Sequence, residues 1–147
     1  MNSLNKDHWL RIQSSSPFTS WAGYTFGGVC LKYLSKIVHG LGLDVVASGA
    51  SGWVYFPKNE EVAGAQIDLV ITRADNCINL CEMEFCNEEF IVDKGYATNL
   101  AYKKALFRKI TKTKKTLFTT LVTAYGAKEN AQYLASVDNQ LSVDVLF

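Results

Sequence analysis

The sequence lacks any long apolar run. No stretch approaches about 18 uninterrupted apolar residues, the length typical of a membrane-spanning helix, so the sequence predicts no membrane span. Residues 1–20 are polar and lack the apolar core of a secretory signal, which points to the cytoplasm. The 147 residues also contain no glycine-rich phosphate-binding loop.

Closely spaced metal-binding residues are also scarce. The sequence has four cysteines, which are Cys30, Cys77, Cys81 and Cys86. None forms a C-x2-C pair, and only two histidines, His8 and His39, could join them around zinc. A chain of this size does not need disulfides to fold, and free cysteine is among the most buried residue types. The sequence therefore favours reduced core thiols, with a zinc site as the alternative.

Composition and length indicate one folded domain. Apolar residues make up 48% of the chain and charged residues 20%, as in an ordinary globular protein. Two separate cores in 147 residues would each be too small to offset chain entropy easily. We therefore expect a polar lead-in over residues 1–20 and a single domain over residues 21–147.

Charge is unevenly distributed, although the net charge is only +1. Ten acids and two basic residues lie between Asp44 and Asp93, whereas nine basic residues and no acid lie between Lys94 and Lys128. This asymmetry is compatible with a metal site beside a face that attracts phosphate. The alternative is that these charges only solvate helix and loop surfaces.

Hydrophobic periodicity predicts an α/β fold with a mixed central β-sheet flanked by helices. Apolar residues at three- and four-residue steps predict helices over residues 21–42 and 95–112. Strands are predicted over residues 45–48, 52–56, 66–72, 77–85, 116–124 and 131–137. Residues 73–76 form a turn between two of these strands, which predicts a hairpin.

Three carboxylates are predicted to converge at one end of this hairpin. Strand alternation places Glu82 and Glu84 on one side of their strand, and pairing brings Asp68 beside Glu82. On the strand of Asp68, alternation places Ile67, Leu69 and Ile71 on the opposite side. Grouped carboxylates are unfavourable unless they share a proton or bind a hard cation. The alternative is that Glu82 and Glu84 are solvated charges on an edge strand and that Asp68 is an acid facing the turn.

The same residues carry a resemblance to a known family. Residues 64–70 (GAQIDLV) and 78–85 (INLCEMEF) resemble the D…(D/E)-x-K signature of PD-(D/E)XK nucleases. More narrowly, the chain is similar to the C-terminal nuclease-like domain of a bacterial AAA-type ATPase family. That similarity extends from residues 21–26 (WAGYTF) through residues 93–94 and 125–126 to the closing residues 144–147 (DVLF). The resemblance implies a restriction-endonuclease-like core and an upstream ATPase domain.

The resemblance also implies roles for individual residues. Asp68 and Glu82 would bind Mg²⁺ or Mn²⁺, and a lysine two residues further on would orient or activate water. Here that position is Glu84, and Gly27 stands where a helix glutamate often completes such a site. Replacing lysine by glutamate puts a negative charge where the developing negative charge needs stabilisation, so we expect hydrolysis to be weakened or lost. Lys94 could replace the missing lysine, or Glu84 could become a third metal ligand.

A basic segment could contact nucleic acid. Its members are Lys103, Lys104, Arg108, Lys109, Lys112, Lys114 and Lys115. Cations at a helix C-terminus also interact favourably with the helix dipole, which is the alternative explanation. Trp9, Trp21 and Trp53 could stack on bases, but packing in a core or interface is the more common use of tryptophan.

Two functions follow from the sequence. The first is a nuclease-like domain that binds a divalent cation and nucleic acid, with catalysis weakened. The second is a non-enzymatic interaction or regulatory module of a larger ATPase, which docks a protein partner or a second copy of the chain.

Overall fold

A computed structural model describes residues 27–58 and 63–143, with the backbone alone for residues 27–33. The lead-in 1–20, the motif 21–26 and the closing residues 144–147 lie outside the described residues. Trp9, Trp21 and His8 therefore lie outside them as well.

Helices and strands alternate along the described chain in an order that confirms the α/β class. The elements are α1 (Gly27–Gly40), β1 (Ala47–Tyr55), β2 (Ala65–Arg73), β3 (Cys77–Glu84), α2 (Lys94–Thr111), β4 (Thr116–Thr123), α3 (Ala131–Ser136) and β5 (Asn139–Ser142). The two extended pieces predicted over residues 45–48 and 52–56 form one strand, β1. Among the described residues, no helix has the length and apolarity needed to cross a membrane.

The five strands form one mixed sheet in the order β1-β2-β3-β4-β5. β1, β2 and β3 are antiparallel neighbours, which confirms the predicted hairpin between β2 and β3. Asn76 closes its turn with a φ of 67°, a left-handed conformation that asparagine tolerates better than most residues. β4 runs parallel to β3, and α2 provides the crossover that a parallel pair requires.

The sheet is covered on both faces. β3 sends Cys81 and Met83 into a core cluster with α1, whereas Ile78 and Leu80 pack with Phe107 of α2. This division confirms the predicted alternation along β3. Because α2 lies over β3, side chains on its inner face can reach the even-numbered residues of that strand.

The chain after β4 differs from its predicted structure. Residues 131–137 were predicted as a strand, but Ala131–Ser136 form the short helix α3. The side chain of Asn130 caps this helix by accepting a hydrogen bond from the backbone N–H of Tyr133 at 2.8 Å. Tyr133 and Val137, four residues apart, are both buried in one cluster, a helical spacing rather than the strand period of two. The strand that pairs with β4 is the following segment, Asn139–Ser142, which the sequence did not predict as a strand.

Candidate active site at the ends of β2 and β3

A β-bulge lies at the aspartate of the predicted motif. In the pairing of β2 with β1, the two residues Asp68 and Leu69 stand against the single residue Gly52. Such a bulge interrupts the alternation of side chains and changes the direction of the bulged residue. Ile67 consequently packs in the same cluster as Val70, on the face covered by α2. The prediction that Ile67 shares a face with Leu69 was wrong for this reason.

The carboxylate of Asp68 is bound to β3. Backbone pairing between β2 and β3 reaches Leu69 and Cys81. Beyond that pair, Asp68 Oδ2 accepts a hydrogen bond from the backbone N–H of Met83 at 2.8 Å. The carboxyl group of Asp68 is also close enough to Glu82 for its charge to raise the pKa of that glutamate. The structure therefore brings together the two acids that carry the resemblance.

An ammonium group from α2 contacts Glu82. Lys103 Nζ lies 3.0 Å from Glu82 Oε1, and only 8% of the glutamate side chain and 16% of the lysine side chain are exposed. This contact is thus largely desolvated, and neither side chain is well placed to obtain its hydrogen bonds from water. Lys103 was predicted as one of several phosphate contacts on the basic segment, not as a neighbour of the carboxylates.

Glu84 has a different partner. The hydroxyl of Tyr96 donates a hydrogen bond to Glu84 Oε1 at 3.1 Å. Tyr96 lies in the first turn of α2, where its backbone N–H is bound by the N-cap Asp93 at 2.8 Å. Glu84 is half-buried, and its position two residues beyond Glu82 keeps it on the side of β3 that faces α2.

Burial raises the pKa of every carboxyl group in the site. The pKa of Glu82 rises from 4.5 to about 8, chiefly because of burial and secondly because of the charge on Asp68, while Lys103 opposes the rise. Burial also raises the pKa of Asp68, against the lowering effect of its hydrogen bond from Met83. Burial likewise raises the pKa of Glu84. Three acids share one ammonium group, so a proton or a cation would relieve their mutual repulsion.

The site suits a cation held by few protein ligands. Within residues 27–58 and 63–143, no group of three or more His, Cys, Asp or Glu side chains is arranged to hold a metal. Mg²⁺ is commonly bound by one or two carboxylates, with waters and substrate phosphates as the remaining ligands. The neighbouring acids Asp68 and Glu82 fit that pattern, whereas Glu84 accepts a hydrogen bond from Tyr96. Zinc gains no support in this part of the chain, where Cys77, Cys81 and Cys86 are free thiols.

Lys94, the predicted substitute for the missing lysine, lies elsewhere on α2. Lys94 is the first residue of the helix and is exposed, and its side chain forms no ion pair with a described residue. The ammonium group beside Glu82 comes from Lys103, nine residues further along. A signal for this placement was present in the sequence, because Tyr96 and Lys103 are seven residues apart and share one face of a helix.

The remaining basic residues lie at the C-terminal end of α2. Arg108 donates hydrogen bonds to the carbonyl oxygens of Thr113 at 2.8 Å and Lys115 at 3.0 Å, so it holds the loop that follows the helix. The other members lie around it: Lys109, Lys112 and Lys114 are exposed, and Lys104 and Lys115 are half-buried. These five ammonium groups, rather than Arg108, remain candidates for contacts to phosphates away from the carboxylates, whereas Lys103 lies at the carboxylates themselves.

Trp53 belongs to the packing of the domain. Its ring meets Phe107 edge-on, with centroids 5.3 Å apart. It also stacks on Tyr55, with centroids 6.3 Å apart and planes inclined by 10°. The indole therefore joins β1 to α2. Its neighbour Tyr55 is the last residue of β1, so the stacked rings extend to the end of that strand.

Comparison with known proteins finds no match to a family model, to a curated protein or to a solved structure. The geometry of the site itself is therefore the basis for inferring a function.

Proposed function

We propose that this is a PD-(D/E)XK-like nuclease domain that cleaves phosphodiester bonds with Mg²⁺ or Mn²⁺, and in which Lys103 supplies the positive charge missing at Glu84. The observation that carries the proposal is the 3.0 Å contact between Lys103 and Glu82, beside Asp68. The expected loss of hydrolysis rested on the charge reversal at Glu84. An ammonium group that reaches the same carboxylates from α2 removes much of that objection.

The arrangement of elements supports the proposal. One helix, three antiparallel strands, a crossover helix and a parallel strand follow each other along the chain. A restriction-endonuclease-like nuclease core requires its elements in this order. The two acids lie on the central hairpin, and the lysine lies on the crossover helix. Attachment to an upstream AAA-type ATPase domain stays a prediction from the sequence.

Each side chain has a defined task in this function. Asp68 and Glu82 would hold the cation, which when bound polarises the phosphate and neutralises part of its charge. Lys103 places a desolvated positive charge where negative charge develops on the phosphate, and such preorganised groups act strongly when water is excluded. Tyr96 draws the carboxylate of Glu84 toward the start of α2 through their hydrogen bond.

Cleavage of labelled single-stranded DNA, single-stranded RNA and plasmid DNA in Mg²⁺ or Mn²⁺ tests the proposal. We expect Asp68→Asn and Lys103→Met to lower the rate at saturating substrate by about a hundredfold or more, in line with the loss of one preorganised charge. Lys94→Met is the matched control, since it removes a lysine from the same helix without touching the acids. Its rate should stay within about twofold of the original.

Some outcomes would contradict this assignment. Equal cleavage by Lys103→Met and the original protein would remove Lys103 from the site, and loss of cleavage in Lys94→Met alone would assign the role to Lys94. An original protein that neither cleaves nor binds nucleic acid would leave the interaction module as the remaining hypothesis. Thermal unfolding of each variant separates these results from simple loss of folding.

A further inference from the structure

A cavity of about 350 Å³ lies directly beside the candidate active site. It opens between the end of β1, the start of β2 and α2, and Lys103 forms part of its wall. The same lysine binds Glu82 at its ammonium end. A ligand in the cavity would therefore touch the lysine side chain that also contacts the carboxylate pair.

Aromatic rings form one part of the cavity wall. Phe56 is 65% exposed, although a phenyl ring gains free energy when it is covered. The adjacent ring of Tyr55 is held in place by its stack on Trp53. Phe56 thus offers an exposed aromatic ring beside the half-buried ring of Tyr55, and nucleic-acid bases stack on aromatic rings.

Side-chain amide groups form another part of the cavity wall. Gln66 and Asn99 line the cavity. Neither side chain has a hydrogen-bond partner among the described residues. An amide offers both a donor and an acceptor, which is the combination that reads the edge of a base.

The chain near the cavity is held in position. The hydroxyl of Tyr102 donates to the carbonyl oxygen of Ala63 at 2.6 Å, which ties the segment before β2 to α2. A Cβ atom at Gly64 would lie 3.1 Å from the carbonyl oxygen of Tyr55, so this close approach favours glycine. Ala63 is thus held against α2, and Gly64 lies close against the end of β1.

We propose that this cavity binds one unpaired base of a single-stranded nucleic acid whose neighbouring phosphate lies at Asp68, Glu82 and Lys103. This inference rests on the proposed function. The volume is near the lower limit for small-ligand pockets, roughly 300 Å³ and above, which suits one planar base with part of its sugar. A base inside a duplex is already stacked and paired, so it would first have to leave the helix. The cavity therefore favours single strands over duplexes.

Binding measured without cleavage tests the inference. The probes are fluorescein-labelled oligothymidylate and oligouridylate of about twelve nucleotides, with a duplex of the same length, in EDTA. We expect Phe56→Ala to weaken single-strand binding about tenfold, the effect of one lost stack, and to leave duplex binding unchanged. The ratio of the two single-strand affinities then distinguishes DNA from RNA as the bound strand.

Three further variants sharpen the result. Phe56→Trp should retain single-strand affinity because it keeps an aromatic face, whereas Phe56→Leu should lose it while remaining apolar. Leu134→Ala, at a side chain on α3 that is 68% exposed, is the matched control and should have no effect. Thermal unfolding shows whether each variant is folded.

Equal single-strand affinity in Phe56→Ala and the original protein would overturn the inference. So would an equal loss of duplex affinity. In either case, cleavage that depends on Asp68 and Lys103 would still support the proposed function. If the original protein binds none of the three probes, the inference fails together with the nucleic-acid substrate of the proposed function.

Discussion

Glu82 is held in a desolvated position between Asp68 and Lys103, and its pKa of about 8 has a thermodynamic consequence. The folded protein keeps a proton on this group over a pH range in which the unfolded chain, with a pKa near 4.5, has released it. Stability therefore falls as the pH rises from about 4.5 to about 8, because the folded state binds more protons than the unfolded state.

We predict that this pH dependence is reduced in Glu82→Gln. In EDTA, the free energy of unfolding of the original protein should fall between pH 5 and pH 8 by an amount on the order of a few kcal/mol. The neutral amide cannot ionise, so the variant should show a shallower slope. Urea unfolding at several pH values measures both slopes. Equal slopes would show that Glu82 is not the titrating group.

A chain of polar side chains crosses four strands of the sheet. Arg73 donates to Asn79 at 3.1 Å, and Asn79 donates to the hydroxyl of Thr120 at 3.0 Å. The hydroxyl of Thr120 then donates to Asn139 at 2.6 Å. Asn79 and Thr120 are fully buried, so water does not replace a lost partner easily.

We predict that Thr120→Val lowers the free energy of unfolding by about 1–3 kcal/mol. Valine fills the same space but leaves the amide of Asn79 and the side-chain oxygen of Asn139 without a partner. Thr98→Val, on the exposed side of α2, is the matched control and should change stability by less than about 0.5 kcal/mol. Denaturant unfolding of both variants provides the comparison, and similar losses would contradict the importance of the polar chain.

Among the elements, α2 has the most direct connection to the site. Asp93 fixes its first turn by accepting from the N–H of Tyr96, and the hydroxyl of Tyr96 binds Glu84. Lys103 lies two turns further along and reaches Glu82. By fixing the start of α2, the N-cap positions both Tyr96 and Lys103 for their contacts with Glu84 and Glu82.

We predict that Asp93→Ala lowers the free energy of unfolding by about 1 kcal/mol, the usual effect of removing an N-cap side chain. Asp93→Asn keeps an oxygen that can accept from Tyr96 and should retain most of the stability. Thermal unfolding measures the difference. A loss in Asp93→Asn as large as that in Asp93→Ala would mean that the charge near the helix dipole, rather than the cap, stabilises α2.

The elements also show what local sequence could and could not predict. β2, β3 and α2 follow the periods of strand and helix, and their predicted bounds agree with the observed ones within one residue at each end. The contact between Asp68 and Glu82 followed from the hairpin. The contact between Glu82 and Lys103 could not be predicted from local sequence. It depends on how α2 crosses the sheet, and packing determines that crossing. The prediction of a strand at α3 was wrong because this helix has only six residues, too few for the helical periodicity of apolar residues to be recognised.

At the scale of the whole molecule, the charge asymmetry of the sequence becomes a spatial one. Acidic residues gather at the ends of β2 and β3, whereas exposed basic residues lie at the C-terminal end of α2. A strand of nucleic acid that contacts Lys109 and Lys114 would release counterions, so its affinity would fall with salt.

We predict a shallower salt dependence in the double variant Lys109→Gln, Lys114→Gln. A plot of log affinity against log salt for single strands should lose about 0.7 in slope for each phosphate contact removed. Lys128→Gln, an exposed lysine outside this segment, is the control and should leave the slope unchanged. Fluorescence anisotropy at several salt concentrations gives the slopes. An unchanged slope in the double variant would remove these lysines from the binding face.

The seven-residue interval between Tyr96 and Lys103 sets a fixed distance along α2 between their two side chains. It spans two turns and about 10 Å along the helix axis, and it places both side chains on the same line. One extra residue within the interval would rotate Lys103 by about 100° around that axis and carry its ammonium group away from Glu82. A change of length here would therefore break the contact between Lys103 and Glu82, whereas an exchange of an exposed residue on the same helix would leave it intact.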